Sequence, residues 1–230
     1  MKVSLSFEKT CTTDVSIMVD ALRASTTITL ALNNFNEIIP CFSVDEAIEL
    51  REKHNSIVAG ERSGVKVESF DIGNSPKEVE EFKIPNSKSK TLILTTSNGT
   101  RILKDMDSTV LIGSMLNSKS VAKKAVELSS GEIDVVMAGY RGEFALEDFL
   151  VSGEIIYWIN EFLDECKLTD FAKASIMATR DYERVCDEIR SSRSGEKLRK
   201  IGHSSDVECC VRKNISENVG IYTDNKIKLL

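Results

Sequence analysis

The sequence has few of the features that mark unusual classes of protein. Its 230 residues include only three prolines and no Gly/Ser-rich tract, which leaves little room for a flexible linker or a disordered segment. No apolar run approaches the roughly 20 residues that a membrane span needs. The amino-terminal segment MKVSLSFEKT alternates apolar and polar residues, a pattern that favours a strand over a signal peptide. These absences predict a soluble, cytoplasmic protein without a membrane partner.

An excess of positive charge is also missing. Lys and Arg number 30 against 36 Asp and Glu, which gives a net charge of −6, so no nucleic-acid partner is expected. The six cysteines show no Cys-x-x-Cys spacing and are accompanied by two histidines, which argues against a structural zinc site. The hydrophobic fraction of 41% is ordinary for a chain that buries a core.

Several familiar catalytic motifs are absent. The chain contains no G-x-x-x-x-G-K-[ST] phosphate loop, no G-x-G-x-x-G fingerprint and no G-x-S-x-G elbow. None of its cysteines lies in a loop with an arginine placed to cradle a phosphate, as a cysteine phosphatase requires. A different arrangement of residues must therefore carry any chemistry.

Short apolar runs alternate with helical patterns over the first two-thirds of the chain. The predicted strands are 15–19, 38–41, 57–59, 91–95, 109–112 and 133–138. The predicted helices are one through 28–35, one opened by a Ser43–Glu46 capping box, one around 98–106 and one over 118–128. Continuous buried strands joined by helices predict an α/β fold, with a largely parallel sheet and flanking helices.

The stretches 14–64 and 91–143 both follow the order βαβαβ, and their third strands end alike, in AGERSG and AGYRG. Two pseudo-equivalent halves and a chance likeness both remain possible. A helical part is expected over 147–200, with one helix after Glu147-Asp148 and a second over 171–191. A hairpin around Asp224-Asn225 closes the chain. With no linker to divide it, residues 1–230 are predicted to form a single domain.

Ligands bind beyond the carboxyl ends of parallel strands, and polar clusters follow four of the predicted strands. Hydroxyl-rich turns after the first and fourth strands offer free N–H groups to a phosphate, although helix capping is the simpler interpretation. Each cluster also carries an arginine. Four arginines at one crevice would be costly without bound anions, and the residues expected to converge are Arg23, Arg62, Arg101 and Arg141.

Carboxylates near these turns are the candidate metal ligands. Asp20 ends an apolar strand, where it needs a partner; Arg23 is one candidate and Mg²⁺ shared with a substrate phosphate is another. Glu61, Asp71 and the pair Glu147-Asp148 are further candidates. The segment SFDIGNSP (69–76) favours a structural turn, but its polar side chains are also candidates to face the crevice.

Five segments of the chain resemble one family of enzymes. VDALRASTTI (19–28), GERSG (60–64), SFDIGNSP (69–76), TTSNGTR (95–101) and AGYRGEFALEDFLVSG (138–153) are similar to the motifs of the 2-phosphosulfolactate phosphatase family, called ComB. The resemblance implies a Mg²⁺-dependent acid phosphatase with an α/β fold. Its substrate would be 2-phosphosulfolactate, hydrolysed to sulfolactate and phosphate in coenzyme M biosynthesis.

The resemblance also implies roles for residues at matching positions. The catalytic candidates are Asp20, Arg23, Glu61 and Asp71. The candidate metal ligands are Asp20, Glu61, Asp71 and Asp148. The candidate phosphate- and substrate-binding residues at matching positions are Ser25, Thr26, Arg62, Asn74, Ser75, Ser97, Asn98 and Thr100. Gly99, Arg101 and Arg141 are further candidates for this role because they lie in the polar turns that follow the strands. The sequence departs from the family at Tyr140-Arg141, where smaller residues are usual.

A phosphate already served by Mg²⁺, Arg23 and the hydroxyl turns does not need every remaining arginine. Arg62, Arg101 and Arg141 are therefore assigned to the other acidic groups of a multiply anionic substrate. The alternative is a non-catalytic module that binds a phosphorylated acid; the retained carboxylates favour the enzyme. Homodimers are the commonest oligomers, and one is expected here on that ground.

Overall fold

Strands and helices alternate along the computed structural model, which describes residues 1–97, 99–103 and 106–230. The strands are β1 (Lys2–Phe7), β2 (Val15–Val19), β3 (Glu37–Cys41), β4 (Ile57–Arg62), β5 (Val65–Lys66), β6 (Thr91–Thr95), β7 (Thr109–Gly113), β8 (Glu132–Met137), β9 (Lys167–Leu168), β10 (Gly220–Thr223) and β11 (Lys226–Leu229). The helices are α1 (Ala24–Ala31), α2 (Val44–His54), α3 (Pro76–Glu81), α4 (Gly99–Leu103), α5 (Ser118–Leu128), α6 (Leu146–Phe162), α7 (Asp170–Ala178), α8 (Tyr182–Ser191), α9 (Arg193–Lys200) and α10 (Ser204–Cys210).

Most of the predicted elements are confirmed within a few residues. The Oγ of Ser43 accepts the Glu46 N–H at 3.0 Å and opens α2, as the capping pattern indicated. The closing hairpin is β10 and β11, and both of its turn residues, Asp224 and Asn225, have positive φ angles, as a tight hairpin turn requires.

The single helix predicted over 171–191 is wrong. The structure has two helices there, because α7 ends at Ala178 and α8 starts at Tyr182. The side chain of Asp181 accepts the Arg184 N–H at 3.2 Å and caps a new helix. The apolar spacing is the same on both sides of the break, so periodicity alone did not reveal it.

In the part of the chain that the structure describes, eleven strands form one sheet, in the order β5-β4-β6-β3-β11-β10-β7-β2-β8-β1-β9. Six of the neighbouring pairs are parallel, which confirms the predicted α/β fold with a largely parallel sheet. The antiparallel pairs come from the hairpin β10–β11 and the short edge strand β5.

The first strand of each predicted half lies in the other half. β2 is paired between β7 and β8, and β6 is paired between β3 and β4. The two groups are alike in register: the last residues of β3 and β6, Cys41 and Thr95, lie opposite each other, and so do the last residues of β7 and β2, Gly113 and Val19. Neither stretch, 14–64 or 91–143, can therefore complete its three-stranded group without the other. A true internal duplication stays a prediction.

The two three-stranded groups run in opposite directions, because three successive antiparallel pairs link β3 to β7 through the hairpin. The turns that follow β6 and β2 nevertheless meet, since a Cβ atom at Gly99 would lie 2.7 Å from Asp20 Oδ2.

Strand β2 contributes to both sides of the core. Ile17 and Val19 pack in one apolar cluster with residues of α5 and α6, whereas Met18 packs in a second cluster with residues of α1, β3 and β6. A strand covered on both faces reads as a continuous apolar run, which explains VSIMV. Among the described residues, no helix combines the length and the apolar character needed to cross a membrane.

Candidate active site

A cleft opens where the turns after β2, β4, β6 and β8 meet, and helix α9 forms one wall of this cleft. The lining residues are Asp20, Leu22, Arg23, Glu61, Ser63, Gly64, Asn74, Thr96, Ser97, Tyr140, Arg141, Ser194, Lys197 and Leu198. The structure therefore brings the ends of both three-stranded groups to one place. It also adds a helix that the sequence patterns did not connect with this site.

The two hydroxyl-rich turns have the same local bonding. Ser25 Oγ accepts the Asp20 N–H at 2.9 Å and donates to the Asp20 carbonyl at 2.7 Å. Thr100 Oγ1 accepts the Thr96 N–H at 3.4 Å and donates to the Thr96 carbonyl at 3.3 Å. Each hydroxyl is thus bonded to the end of the preceding strand, and neither residue lines the cleft. Ser25 lies inside α1, whose N-terminus has no side-chain cap, so helix capping does not describe this turn either. Both hydroxyls fasten a turn to the strand before it.

Other expected substrate ligands are engaged in the same way. Thr26 is fully buried and its hydroxyl donates to the Ala21 carbonyl at 3.2 Å. Ser75 Oγ accepts the Glu78 N–H at 3.1 Å and caps α3. Ser97 does line the cleft, whereas Asn98 lies outside the described residues.

Asp20 is the carboxylate at the centre of this arrangement. Its Oδ1 accepts the Ala24 N–H, at the start of α1, at 3.2 Å. Burial raises the pKa of Asp20 to about 7, the negative charges of Glu61 and Glu147 add to the rise, and hydrogen bonds from the N–H groups of Ala24 and Gly99 oppose it. The side chain is therefore a desolvated acid held between the first residues of α1 and α4.

Gly99 is required by the closeness of these two turns. A Cβ atom at this position would lie 2.7 Å from Asp20 Oδ2 and 2.8 Å from the Cβ of Ala24. Both distances are shorter than normal van der Waals contact. Gly99 thus contributes to the site through its backbone and its lack of a side chain.

Asp148, an expected metal ligand, lies behind the cleft. Its Oδ1 accepts the Ala21 N–H at 2.8 Å, and its Oδ2 accepts the Gly139 N–H at 2.9 Å. Burial raises its pKa well above the ordinary value, with a further contribution from Asp20 and Glu147. Asp148 ties the turn after β2 to the turn after β8 and does not line the cleft.

Glu61 joins two further turns and does line the cleft. Its Oε2 accepts the Gly64 N–H at 2.5 Å, and its Oε1 accepts the Ser97 N–H at 2.8 Å. Both oxygens already have a backbone partner, but each keeps capacity to accept one more interaction.

The structure does not bring Asp71 to this cleft. Asp71 is exposed, and its Oδ2 accepts the Val58 N–H at 2.8 Å and a bond from Arg51 Nη2 at 3.2 Å. These contacts fasten the segment 69–76 to β4 and α2. The expected metal-ligand position of Asp71 is therefore not what the structure shows.

Only two of the four expected arginines line the cleft, Arg23 and Arg141. Arg62 bonds to the carbonyls of Glu61 and Phe42 and to the hydroxyl of Thr95. Arg101 is exposed and forms an ion pair with Glu8. The expected convergence is wrong in these two cases, because each guanidinium has protein partners that draw it away.

Arg23 is held by Asp206, which the sequence patterns did not single out. Arg23 Nη1 lies 2.5 Å from Asp206 Oδ2, and the two side chains are 3% and 1% exposed. Arg23 Nη2 donates to the Gly64 carbonyl at 2.9 Å, and Ser75 donates to Asp206 Oδ1 at 2.6 Å. Asp206 lies on α10, 183 residues from Arg23, so no local motif connects them.

Oxygen atoms suited to a metal ion are few. Among residues 1–97, 99–103 and 106–230, no group of three or more His, Cys, Asp or Glu side chains is arranged to hold a metal ion. Asn74 Oδ1 is buried without a hydrogen-bond partner and lines the cleft with Asp20 and Glu61. The protein alone offers an incomplete oxygen set that a ligand would have to complete.

Known proteins are similar to this chain over nearly its whole length. The family model described as 2-phosphosulpholactate phosphatase matches residues 3–225. The chain belongs to this family. Membership of the 2-phosphosulpholactate phosphatase family confirms both the resemblance noted in the sequence and the predicted enzyme class, a phosphoric monoester hydrolase.

Individual proteins that are similar to this chain carry the same name as the family. A protein of Methanothermobacter thermautotrophicus named 2-phosphosulfolactate phosphatase is 47% identical over 230 residues, covering 100% of this chain and 96% of the relative. A probable 2-phosphosulfolactate phosphatase of Clostridium acetobutylicum is 36% identical over 217 residues, covering 92% and 91%. One of Clostridium beijerinckii is 35% identical over 219 residues, covering 93% and 90%.

Proposed function

We propose that this chain hydrolyses 2-phosphosulfolactate, or a similar small phosphorylated acid, to the 2-hydroxy acid and phosphate. The names of the relatives support this substrate. The observation that carries the proposal is the cleft itself, where the buried carboxylate of Asp20 lies among the cations Arg23, Arg141 and Lys197. In coenzyme M biosynthesis, the pathway implied by the family resemblance, the product would be sulfolactate.

The proposal includes Mg²⁺ as the cofactor. Mg²⁺ prefers oxygen ligands and is commonly held by one or two carboxylates together with substrate phosphate. Asp20, Glu61 and the unpartnered Asn74 Oδ1 line the same cleft and would hold it. When bound, the ion would neutralise negative charge on the phosphoryl oxygens. The repulsion that Asp20 experiences from Glu61 and Glu147 would be relieved by the same cation.

Arg23 supplies fixed positive charge. Its bonds to Asp206 and to the Gly64 carbonyl hold the guanidinium in one orientation, while its remaining N–H groups stay available to a phosphoryl oxygen. Phosphoryl transfer depends mainly on positioning and charge stabilisation, and a donor that is already oriented needs no reorganisation during the reaction.

Phosphate release tests the proposal. The purified chain is incubated with 2-phosphosulfolactate and with p-nitrophenyl phosphate, with Mg²⁺ and with EDTA. We expect release from both substrates with Mg²⁺ and little with EDTA. Release from neither substrate at any Mg²⁺ concentration would contradict the proposed activity, and equal release with EDTA would contradict the metal. A Lys173→Ala variant, changed on an exposed part of α7, is the control for preparation quality.

We also propose a homodimer, on the general prevalence of such assemblies. Light scattering of the purified chain measures its mass in solution. A mass near 51 kDa, about twice the 25.5 kDa of the chain, is expected, and a monomer mass would contradict it.

A further inference from the structure

We infer that Lys197 and the hydroxyl of Tyr140 bind the second acidic group of the substrate, a sulfonate or carboxylate. The inference rests on the proposed function, in which the phosphate lies at Asp20 and Arg23. It assigns the recognition of the rest of the substrate to α9, a helix that the sequence patterns did not connect with the site.

Helix α9 forms one wall of the cleft through Ser194, Lys197 and Leu198. Leu198 is buried and anchors the helix, and Lys197, one residue before it, is partly buried with its side chain at the cleft. The aliphatic stem of a lysine packs readily against apolar surface while its ammonium stays at a polar boundary. The ammonium is therefore placed by a rigid helix and not by a mobile loop.

Lys197 lacks the carboxylate partner that neighbouring cations have. Arg193, four residues earlier, pairs with Glu143 at 2.5 Å, and Lys200 pairs with Glu196 at 3.5 Å. Within the part of the chain that the structure describes, no carboxylate lies within ion-pair distance of Lys197. A partly desolvated cation without a counter-ion is costly. An acidic group of a ligand would supply the missing charge.

The polar partner of Lys197 is the phenol of Tyr140. Lys197 Nζ lies 3.4 Å from the Tyr140 hydroxyl oxygen and 5.6 Å from the ring centroid. Because an ammonium can only donate, the hydroxyl accepts this bond and keeps its own proton to donate. Ammonium and O–H together therefore offer two donors to one acidic group.

Additional positive charge surrounds the same ring. The guanidinium carbons of Arg193 and Arg141 lie 4.5 Å and 5.6 Å from the Tyr140 centroid. Arg141 has a φ of 53° and Gly142 a φ of 83°, in a turn that is closed by two backbone bonds between Tyr140 and Glu143, at 2.8 and 3.0 Å. Because Arg193 is paired with Glu143, the positive charge offered to a sulfonate or carboxylate at this ring comes from Lys197 and Arg141.

The test compares two substrates in three variants. Lys197→Gln removes the charge, Lys197→Arg keeps it, and Lys200→Gln removes a paired charge from the same helix as a matched control. We expect Lys197→Gln to lower kcat/KM for 2-phosphosulfolactate by roughly ten- to a hundredfold, the loss of one charge-assisted pair. Hydrolysis of p-nitrophenyl phosphate, which has no second acidic group, should change by less than about threefold. Lys197→Arg should recover part of the loss, and Lys200→Gln should match the wild type.

Equal losses on both substrates would mean that Lys197 serves the phosphate, and no loss on either would remove it from the site; both results overturn the inference. Calorimetric titration with sulfolactate and with inorganic phosphate separates this inference from the proposed activity, because it needs no turnover. Weaker sulfolactate binding to Lys197→Gln, with unchanged phosphate binding, supports the inference even if no substrate is hydrolysed. Wild-type protein that binds no sulfolactate would overturn it.

Discussion

The two ends of strand β2 carry the same residue type in opposite surroundings. Asp14 precedes the strand and Asp20 follows it. Although some burial acts to raise the pKa of Asp14, hydrogen bonds from the backbone of Glu132, Ser130 and Gly131 and from the Ser129 hydroxyl hold it well below the ordinary value. The pKa of Asp20 is instead raised to about 7, by burial and by neighbouring negative charge.

The difference separates a carboxylate that the fold uses from one that we propose acts in the site. Asp14 Oδ2 accepts from Ser129 Oγ at 2.8 Å and from the Gly131 and Glu132 N–H groups at 2.8 and 2.9 Å. These hydrogen bonds from the protein satisfy the negative charge of Asp14. Asp20 keeps an incompletely satisfied charge in a cleft, and perturbed groups in such positions cluster at functional sites. Asp20→Asn should therefore lower the activity without lowering the stability, whereas Asp14→Asn should lower the stability without lowering the activity.

The largest expected effect is that of Asp20→Asn. The amide preserves the shape of the side chain but removes the negative charge that the proposed metal site uses. We expect phosphate release to fall by at least about a hundredfold, while thermal unfolding shows a folded protein of unchanged or higher stability. The matched variant Asp14→Asn should keep wild-type kcat. Near-normal activity in folded Asp20→Asn would reduce Asp20 to a structural capping residue.

An intermediate effect is expected for Gly99→Ala. The new Cβ would be 2.7 Å from Asp20 Oδ2, so the two turns must separate and Asp20 must move. Small displacements of this kind can cost on the order of tenfold to a hundredfold in rate. Phosphate-release kinetics measure the loss. Gly131→Ala is the control, since a Cβ there meets nothing within 4 Å, and equal kinetics in both variants would show that the turn spacing is unimportant.

The smallest effect is the loss of stability in Asp14→Asn, which we expect at about 1–3 kcal/mol near pH 7. Because the folded pKa of Asp14 lies below that of an unfolded aspartate, near 3.9, its contribution is present above about pH 4 and is lost as the pH falls through the folded value. Urea unfolding at pH 7 and pH 3 should therefore show a smaller difference from wild type at the lower pH. A difference that stays constant would contradict this assignment.

Local sequence patterns identified most of the regular structure. Runs such as VSIMV and TLILT are apolar at every position because their strands are covered on both faces, and this signal survives without knowledge of the neighbours. The helix cap at Ser43 and the hairpin turn at Asp224-Asn225 were equally predictable, since capping and hairpin turns depend on residues close in the chain. The break between α7 and α8 was missed because a capping aspartate inside a continuous apolar period gives a weak signal.

Within the site, the sequence identified Asp20, Arg23, Glu61, Asn74, Ser97 and Arg141, all of which line the cleft. It did not identify the partners Asp206 and Lys197, which come from the helical carboxyl-terminal part. Ser25, Thr26 and Thr100 have the right chemistry for a phosphate, but their hydroxyls bond to nearby backbone carbonyls. Composition and spacing show which hydrogen-bond donors the chain contains, but they do not show which acceptor each donor bonds to.

The sequence by itself determined the α/β class, the order of its elements and the family, because these depend on local periodicity and on motifs of a few residues. Only the tertiary structure decided that β2 and β6 are exchanged between the two groups. Parallel partners are joined through crossovers and share no turn that would specify them, so the pairing follows from packing of the whole sheet. The same packing brings the turns after β2 and β6 together and places Asp20 among other carboxylates. It also places Lys197 in the lining of the cleft, a position that the sequence around Lys197 does not predict.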